Sequence, residues 1–156
     1  MQNTSLNDTI NPLYAAAVSL TRYWDLKIPV DPALIAKKMG ISAFYSDKLG
    51  KLSSFYDAVS KKILISEHES KTYQRFAVAH ELGHAVLGHG TIRGKKRQYS
   101  LPKEQAANSF AAALLMPEIA VRTMVEQRGL GFKELCKTFD VSEEMMGRRL
   151  IDLRIV

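Results

Sequence analysis

The sequence predicts an α+β protein, mostly helical, with a small three-stranded, mainly antiparallel sheet beside one central helix. Three observations carry that expectation. Apolar residues recur at the three-to-four spacing of amphipathic helices, both before residue 40 and after residue 70. Between them, residues 41–65 hold three short segments rich in β-formers and separated by turn residues. The chain has 156 residues, 46% hydrophobic and 24% charged, the size and composition of one globular domain with a buried core. No repeat, low-complexity stretch or linker divides it, so residues 1–156 read as a single domain.

The elements follow in order. Asn11-Pro12 opens a first helix with proline at an N1-like position, and Leu13, Ala16, Ala17, Leu20 and Trp24 form its apolar stripe. Asp31-Pro32 starts a short second helix, carrying Ala33, Leu34, Ile35 and Met39, that stops at Gly40. Ile41 to Tyr45, Leu52 to Tyr56 and Lys62 to Ile65 are the strands, with Asp57-Ala58-Val59-Ser60 turning the second into the third. The next helix runs from about Ser70 to Leu87 and is closed by Gly88 and Gly90. Gly83 inside it lowers helix stability relative to alanine, so it marks close approach by a neighbouring element. Ser100-Leu101-Pro102 begins a further helix with a small apolar interior (Ala106, Ala107, Ala111, Ala112, Ala113) that ends at Met116-Pro117. Shorter helices complete the chain, one of them capped by Ser142 with Glu143 and Glu144 in its first turn.

Composition excludes several classes of function. A single cysteine, Cys136, cannot make an internal disulfide framework and fits a reducing compartment. Met1-Gln2-Asn3-Thr4-Ser5 has neither the basic start nor the apolar run of a signal peptide. No stretch reaches the roughly 18 apolar residues that span a bilayer. A cytoplasmic protein with no membrane partner is expected. The net charge of +6 is diffuse, and its densest cluster is Arg93-Gly94-Lys95-Lys96-Arg97. A solvated loop is the stronger reading of so short a run, and a nucleic-acid contact the weaker one.

The chemistry lies in His80-Glu81-Leu82-Gly83-His84, an HExxH motif. Residues four apart share one face of a helix, so both imidazoles can reach one metal ion. Glu81, one position on from His80, can reach a water at that metal without being a ligand. Two neutral histidines and a carboxylate base form the core of a zinc hydrolase. At this composition roughly 0.006 such matches are expected by chance, so coincidence is a poor rival.

Hydrolytic zinc takes three protein ligands, and the candidates for the third are His89, Glu104 and Glu118. His89 lies beyond the helix-breaking Gly88 at the wrong spacing for an HExxHxxGxxH pattern. Glu118 sits at a helix junction whose direction is hard to read. Glu104 is the best placed: it occupies the first turn of a helix whose facing positions, Ala107, Asn108 and Ala111, are small enough to lie against the HExxH helix. Asn108, one turn on, can orient the ligands by hydrogen bonding. A further donor is needed for the oxyanion of a hydrolytic transition state, and Tyr73, Arg75, Tyr99 and Arg149 are the candidates.

The segment Arg75-Phe76-Ala77-Val78-Ala79-His80-Glu81-Leu82-Gly83-His84, followed by Glu104-Gln105-Ala106-Ala107-Asn108-Ser109-Phe110-Ala111-Ala112-Ala113-Leu114-Leu115-Met116-Pro117, resembles the ImmA/IrrE family of metallopeptidases. Ile28 to Ile41 resembles that family's opening, so the likeness spans roughly residues 12 to 150. It implies a zincin-like fold, Zn2+ held by His80, His84 and Glu104, and Glu81 as catalytic base. It also implies an endopeptidase acting on a helix-turn-helix repressor or antitoxin, in a mobile-element, toxin–antitoxin or stress-response setting. The alternative is a non-proteolytic toxin or antirepressor that binds such a partner through the same scaffold. Residues from about 130 to 156 read as a helical cap. Phe132 to Leu150, with a turn at Asp140-Val141-Ser142 and Arg148 and Arg149 beyond it, also resembles half of a helix-turn-helix.

Overall fold

In a computed structural model, residues 27–90 and 99–156 are described. The helix expected from Asn11-Pro12 and the basic loop Arg93 to Arg97 lie outside those residues. Helix α1 (Pro32–Lys38) has proline in its first turn, and the Asp31 carboxylate accepts from the Ala33 and Leu34 amides at 3.0 and 3.2 Å. That bond satisfies amides which helix geometry leaves without partners. Gly40, in the left-handed region at φ 76°, turns the chain into the sheet.

Strands β1 (Ser42–Ser46), β2 (Ser54–Asp57) and β3 (Lys62–Ser66) stand in the order β1-β3-β2. The expected turn joins β2 to β3: Asp57 accepts from the Val59 amide and the Ser60 hydroxyl, and the two strands pair antiparallel. The expectation of a mainly antiparallel sheet needs correcting, because β1 pairs with β3 in parallel, Ser42 opposite Lys62 through Ser46 opposite Ser66. Residues 47–53 form a connection rather than a two-residue hairpin, and carry the chain past the place β3 will fill. The sheet is therefore mixed, with β2 at one edge.

Helix α2 (Lys71–Val86) is capped by Ser70, whose hydroxyl accepts from the Tyr73 amide at 3.3 Å. It buries Ala77, Val78, Ala79 and Leu82 in the core with Ile35, Ile63 and Ile65. Helix α3 (Leu101–Leu115) buries Ala107, Phe110, Ala111, Leu114 and Leu115. At the α2–α3 contact, a Cβ on Gly83 would lie 3.0 Å from Phe110 Cδ1 and 3.3 Å from the Ala107 Cα. The close approach that an interior glycine implies is therefore present, and it draws the helix carrying His80 and His84 against the helix carrying Glu104.

Helix α4 (Glu118–Arg122) runs directly into a π-helical turn, Thr123–Gln127, that nothing in the residue pattern announces. Helices α5 (Phe132–Phe139) and α6 (Glu143–Asp152) follow, with Asp140 at positive φ between them and Ser142 accepting from the Met145 amide at 3.2 Å. The pair resembling half of a helix-turn-helix is present, but one of its two arginines faces inward. Arg149 is buried and donates to the Met116 carbonyl at 3.0 Å, which ties α6 to the end of α3. Cys136 sits half-buried in α5. Among the described residues, no helix is long and apolar enough to cross a membrane.

Candidate metal centre

Helical spacing places His80 and His84 on one face of α2, with their Nε2 atoms 3.1 Å apart. Glu104 reaches both from the first turn of α3: Oε2 lies 3.3 Å from His80 Nε2, and Oε1 lies 3.1 Å from His84 Nε2. One ligand atom from each residue falls within 4.8 Å of the others. This is the only such group of three or more among the described residues. Burial holds His84 well below the ordinary histidine range, at about 3, and repulsion from Lys103 and from the protonated forms of His80 and His89 adds to the effect. Burial also lowers His80, against the opposing pull of Glu104 and Asn108. Both rings are therefore neutral at pH 7, the form that ligates metals.

The far side of each ring is occupied. His80 Nδ1 lies 2.8 Å from Asn108 Oδ1. An amide oxygen only accepts, so His80 carries its proton on Nδ1 and turns the Nε2 lone pair toward Glu104. His84 is fully buried, its ring stacked on Tyr99 at 3.8 Å between centroids and 16° between planes. Two imidazole nitrogens and a carboxylate oxygen, with one tautomer fixed from outside, match the ligand chemistry of hydrolytic zinc sites.

Glu81, next to His80 in sequence, lines the same cleft and is 4% exposed. Ser54 on edge strand β2 donates to its Oε1 at 2.7 Å, while Oε2 is buried without a hydrogen-bond partner. Burial pushes the carboxyl up to about 7; the Ser54 hydroxyl and the Tyr56 backbone amide pull it down, and the Glu104 charge pushes it further up. A partnerless buried carboxylate oxygen is costly. Nothing in the sequence marks Ser54, since it lies 27 positions from Glu81 and serine is common near turns. Only the register of β2 brings the two together.

Ser54, His80, Glu81, Glu104 and Asn108 line a cleft of about 530 Å³, walled by Leu52 and Tyr56 of the sheet side, Tyr73 and Phe76 of α2, and Tyr99. The remaining candidates separate clearly. His89 contributes no atom to the donor cluster, and Glu118 instead accepts from Arg122 at 2.8 Å. Of the four oxyanion candidates, Arg75 donates to the carbonyls of Val30 and Asp140, and Arg149 to that of Met116. Tyr73 and Tyr99 line the cleft. Tyr73 lies seven residues before His80, roughly 10 Å along the helix axis, which makes it a wall of the cleft remote from the donor cluster.

A family profile described as the IrrE N-terminal-like domain, a peptidase family, matches residues 36–151. Among curated proteins, the chain is similar to the radiation response metalloprotease IrrE of Deinococcus radiodurans, 33% identical over 106 residues. That match covers 60% of this chain and 32% of the relative, so the chain spans about a third of that protein's length. Among solved structures, it is similar to a Mycobacterium tuberculosis transcriptional regulator with a TM-score of 0.67 at 19% identity. That match covers 90% of this chain and 47% of the other, and it is a likeness of fold.

Proposed function

The chain belongs to the IrrE N-terminal-like peptidase family, and from that premise we propose that it is a zinc-dependent endopeptidase acting on a repressor-type, helix-turn-helix regulatory protein. His80, His84 and Glu104 are the proposed ligands and Glu81 the proposed base. The observation that carries the reading is the state of Glu81. A structural metal site has no use for a buried carboxylate beside its ligands, with one oxygen anchored by Ser54 and the other without a partner.

When bound, zinc supplies Lewis acidity, acidifying a water and polarising a carbonyl oxygen. The protein supplies the rest. Ser54 fixes the Glu81 carboxylate through Oε1, so that Oε2 accepts the proton of the attacking water and then delivers it to the leaving amine. Asn108 keeps His80 in the tautomer that offers Nε2. The aromatic walls of the cleft, Tyr56, Tyr73, Phe76 and Tyr99, hold the substrate chain. The likeness to a radiation response metalloprotease supports a stress-response setting, alongside the mobile-element and toxin–antitoxin settings that the motif resemblance implies.

The test is to incubate zinc-loaded protein and its Glu81→Gln variant with helix-turn-helix regulators from the same genome. Glu81→Gln should keep the fold and the zinc, yet slow cleavage by roughly 10²-fold or more. If the variant retains zinc and its full cellular effect, catalysis is irrelevant to that effect. The protein is then a non-proteolytic toxin or antirepressor that binds its partner.

A further inference from the structure

Helix α2 ends in a left-handed turn at Gly88, φ 69°. The His89 amide donates to the His84 carbonyl at 2.9 Å, and the Gly88 amide to the Ala85 carbonyl at 3.2 Å. These are the paired backbone bonds of a Schellman closure, which lays the second residue past the cap over the residue three from the helix end. An apolar contact commonly joins those two positions. Here both are histidines, and their rings meet through Nδ1 atoms 2.8 Å apart.

We propose that His89 is a positioning residue that fixes the tautomer and orientation of His84, so that His84 presents Nε2 to the metal. The inference rests on the metal-site reading above and extends it to a residue that supplies no ligand atom. Two neutral imidazoles meeting nitrogen to nitrogen share a single N–H, one donating and the other accepting. His84 Nε2 lies 3.1 Å from both His80 Nε2 and Glu104 Oε1, on the side of the donor cluster. The His84 proton therefore belongs on Nδ1, donated to His89 Nδ1, and His89 carries its own proton on Nε2. Tyr99 holds the face of the His84 ring and His89 holds its edge. With His89 in place His84 is fully buried, and His89 is the one acceptor within reach of its Nδ1 among the described residues. Without it, the His84 Nδ1–H loses its partner or the proton moves to Nε2, and either change weakens donation to a metal. Asn108 does the same for His80 from α3. The two ligands of one helix are thus steadied from two different elements, one of them the helix's own cap.

The test measures zinc affinity of the full chain by competition with a chromophoric chelator, alongside thermal melts of the metal-free protein. His89→Ala should weaken zinc binding by roughly 10- to 100-fold, the usual effect of losing such a partner, with little change in the metal-free melt. His89→Gln, whose amide oxygen can accept the same bond, should recover most of the affinity. Wild-type affinity in His89→Ala overturns the inference. So does a His89→Gln no better than the alanine variant, or a metal-free fold weakened enough to account for the loss. His80→Ala separates the two readings. If it keeps full zinc affinity, the metal site itself is wrong; if it loses zinc while His89→Ala does not, only the positioning role fails.

Discussion

The α2–α3 contact and the α5–α6 pair are both helix packings, and they bury opposite chemistry. Helix α2 encloses Gln74, Glu81 and His84 among small apolar residues. The α5–α6 pair encloses Leu135, Phe139, Val141, Met146 and Leu150, and its one buried charge, Arg149, donates through Nε to the Met116 carbonyl. Polar burial is unfavourable unless satisfied, and large apolar side chains contribute roughly 1.5–3 kcal/mol each when fully buried. The first packing spends stability on a donor set, and the second supplies stability. The two regions should therefore respond differently to the same kind of substitution.

The largest contrast is between losing a ligand and losing a core aromatic. Wild-type protein should hold about one zinc per chain, read by elemental analysis after gel filtration. His80→Ala or His84→Ala should bring that to near zero while the metal-free protein stays folded. Phe139→Ala should do the reverse, lowering stability by about 3–5 kcal/mol in chemical denaturation and retaining one zinc wherever it is folded. A collapse of the fold in His80→Ala, or loss of zinc from folded Phe139→Ala, would show that the regions are not separate in function.

Glycine-to-alanine changes sharpen the comparison at smaller scale, because the expected sign differs. At Gly83 the new Cβ would stand 3.0 Å from Phe110 and 3.3 Å from the Ala107 backbone. Overpacking of that kind costs about 1–3 kcal/mol, more than the helix propensity gained, and it should push α3, with Glu104, away from α2. At Gly147 in α6 the nearest atom is Phe132 Cζ at 3.9 Å, an ordinary contact. There alanine should stabilise by roughly 0.5–1 kcal/mol and leave zinc affinity unchanged. Two urea titrations decide it, and equal signs would remove the claim that the α2–α3 contact at Gly83 is tighter than the α5–α6 contact at Gly147.

The same contrast explains what could be read in the sequence. His80, Glu81 and His84 were visible because helix geometry converts a fixed spacing into a shared face. Gly83 was visible because an interior glycine needs a reason. The strand segments were legible from their composition, but the parallel pairing of β1 with β3 was not, since it depends on where residues 47–53 carry the chain. Ser54, Asn108 and His89 divide in an instructive way. Asn108 lies one turn from Glu104 on the same helix and could be anticipated. Ser54 meets Glu81 only through sheet register. The spacing of His89 from His84 speaks only to its fit as a ligand; its partnership with His84 comes from the backbone geometry of the helix cap. Among the arginines, side-chain type said nothing about direction, and Arg149 turned inward.

The smallest expected effect compares one interaction in both regions. Ser70 caps α2 through the Tyr73 amide at 3.3 Å, and Ser142 caps α6 through the Met145 amide at 3.2 Å. The hydrogen-bond chemistry is the same, and neither hydroxyl is part of the donor cluster. Replacing either serine by alanine leaves a first-turn amide without its acceptor and should cost about 1 kcal/mol of stability. Ser70 lies ten residues before His80, roughly 15 Å along the axis, and fraying of the first turn decays within that distance. Ser70→Ala and Ser142→Ala should therefore show matched losses in urea titrations and the same zinc affinity as wild type in chelator competition. A selective loss of zinc affinity in Ser70→Ala would mean that α2 transmits disorder along its whole length to the metal face, and the donor set would then depend on the entire helix rather than on its contacts with β2, α3 and the cap at Gly88.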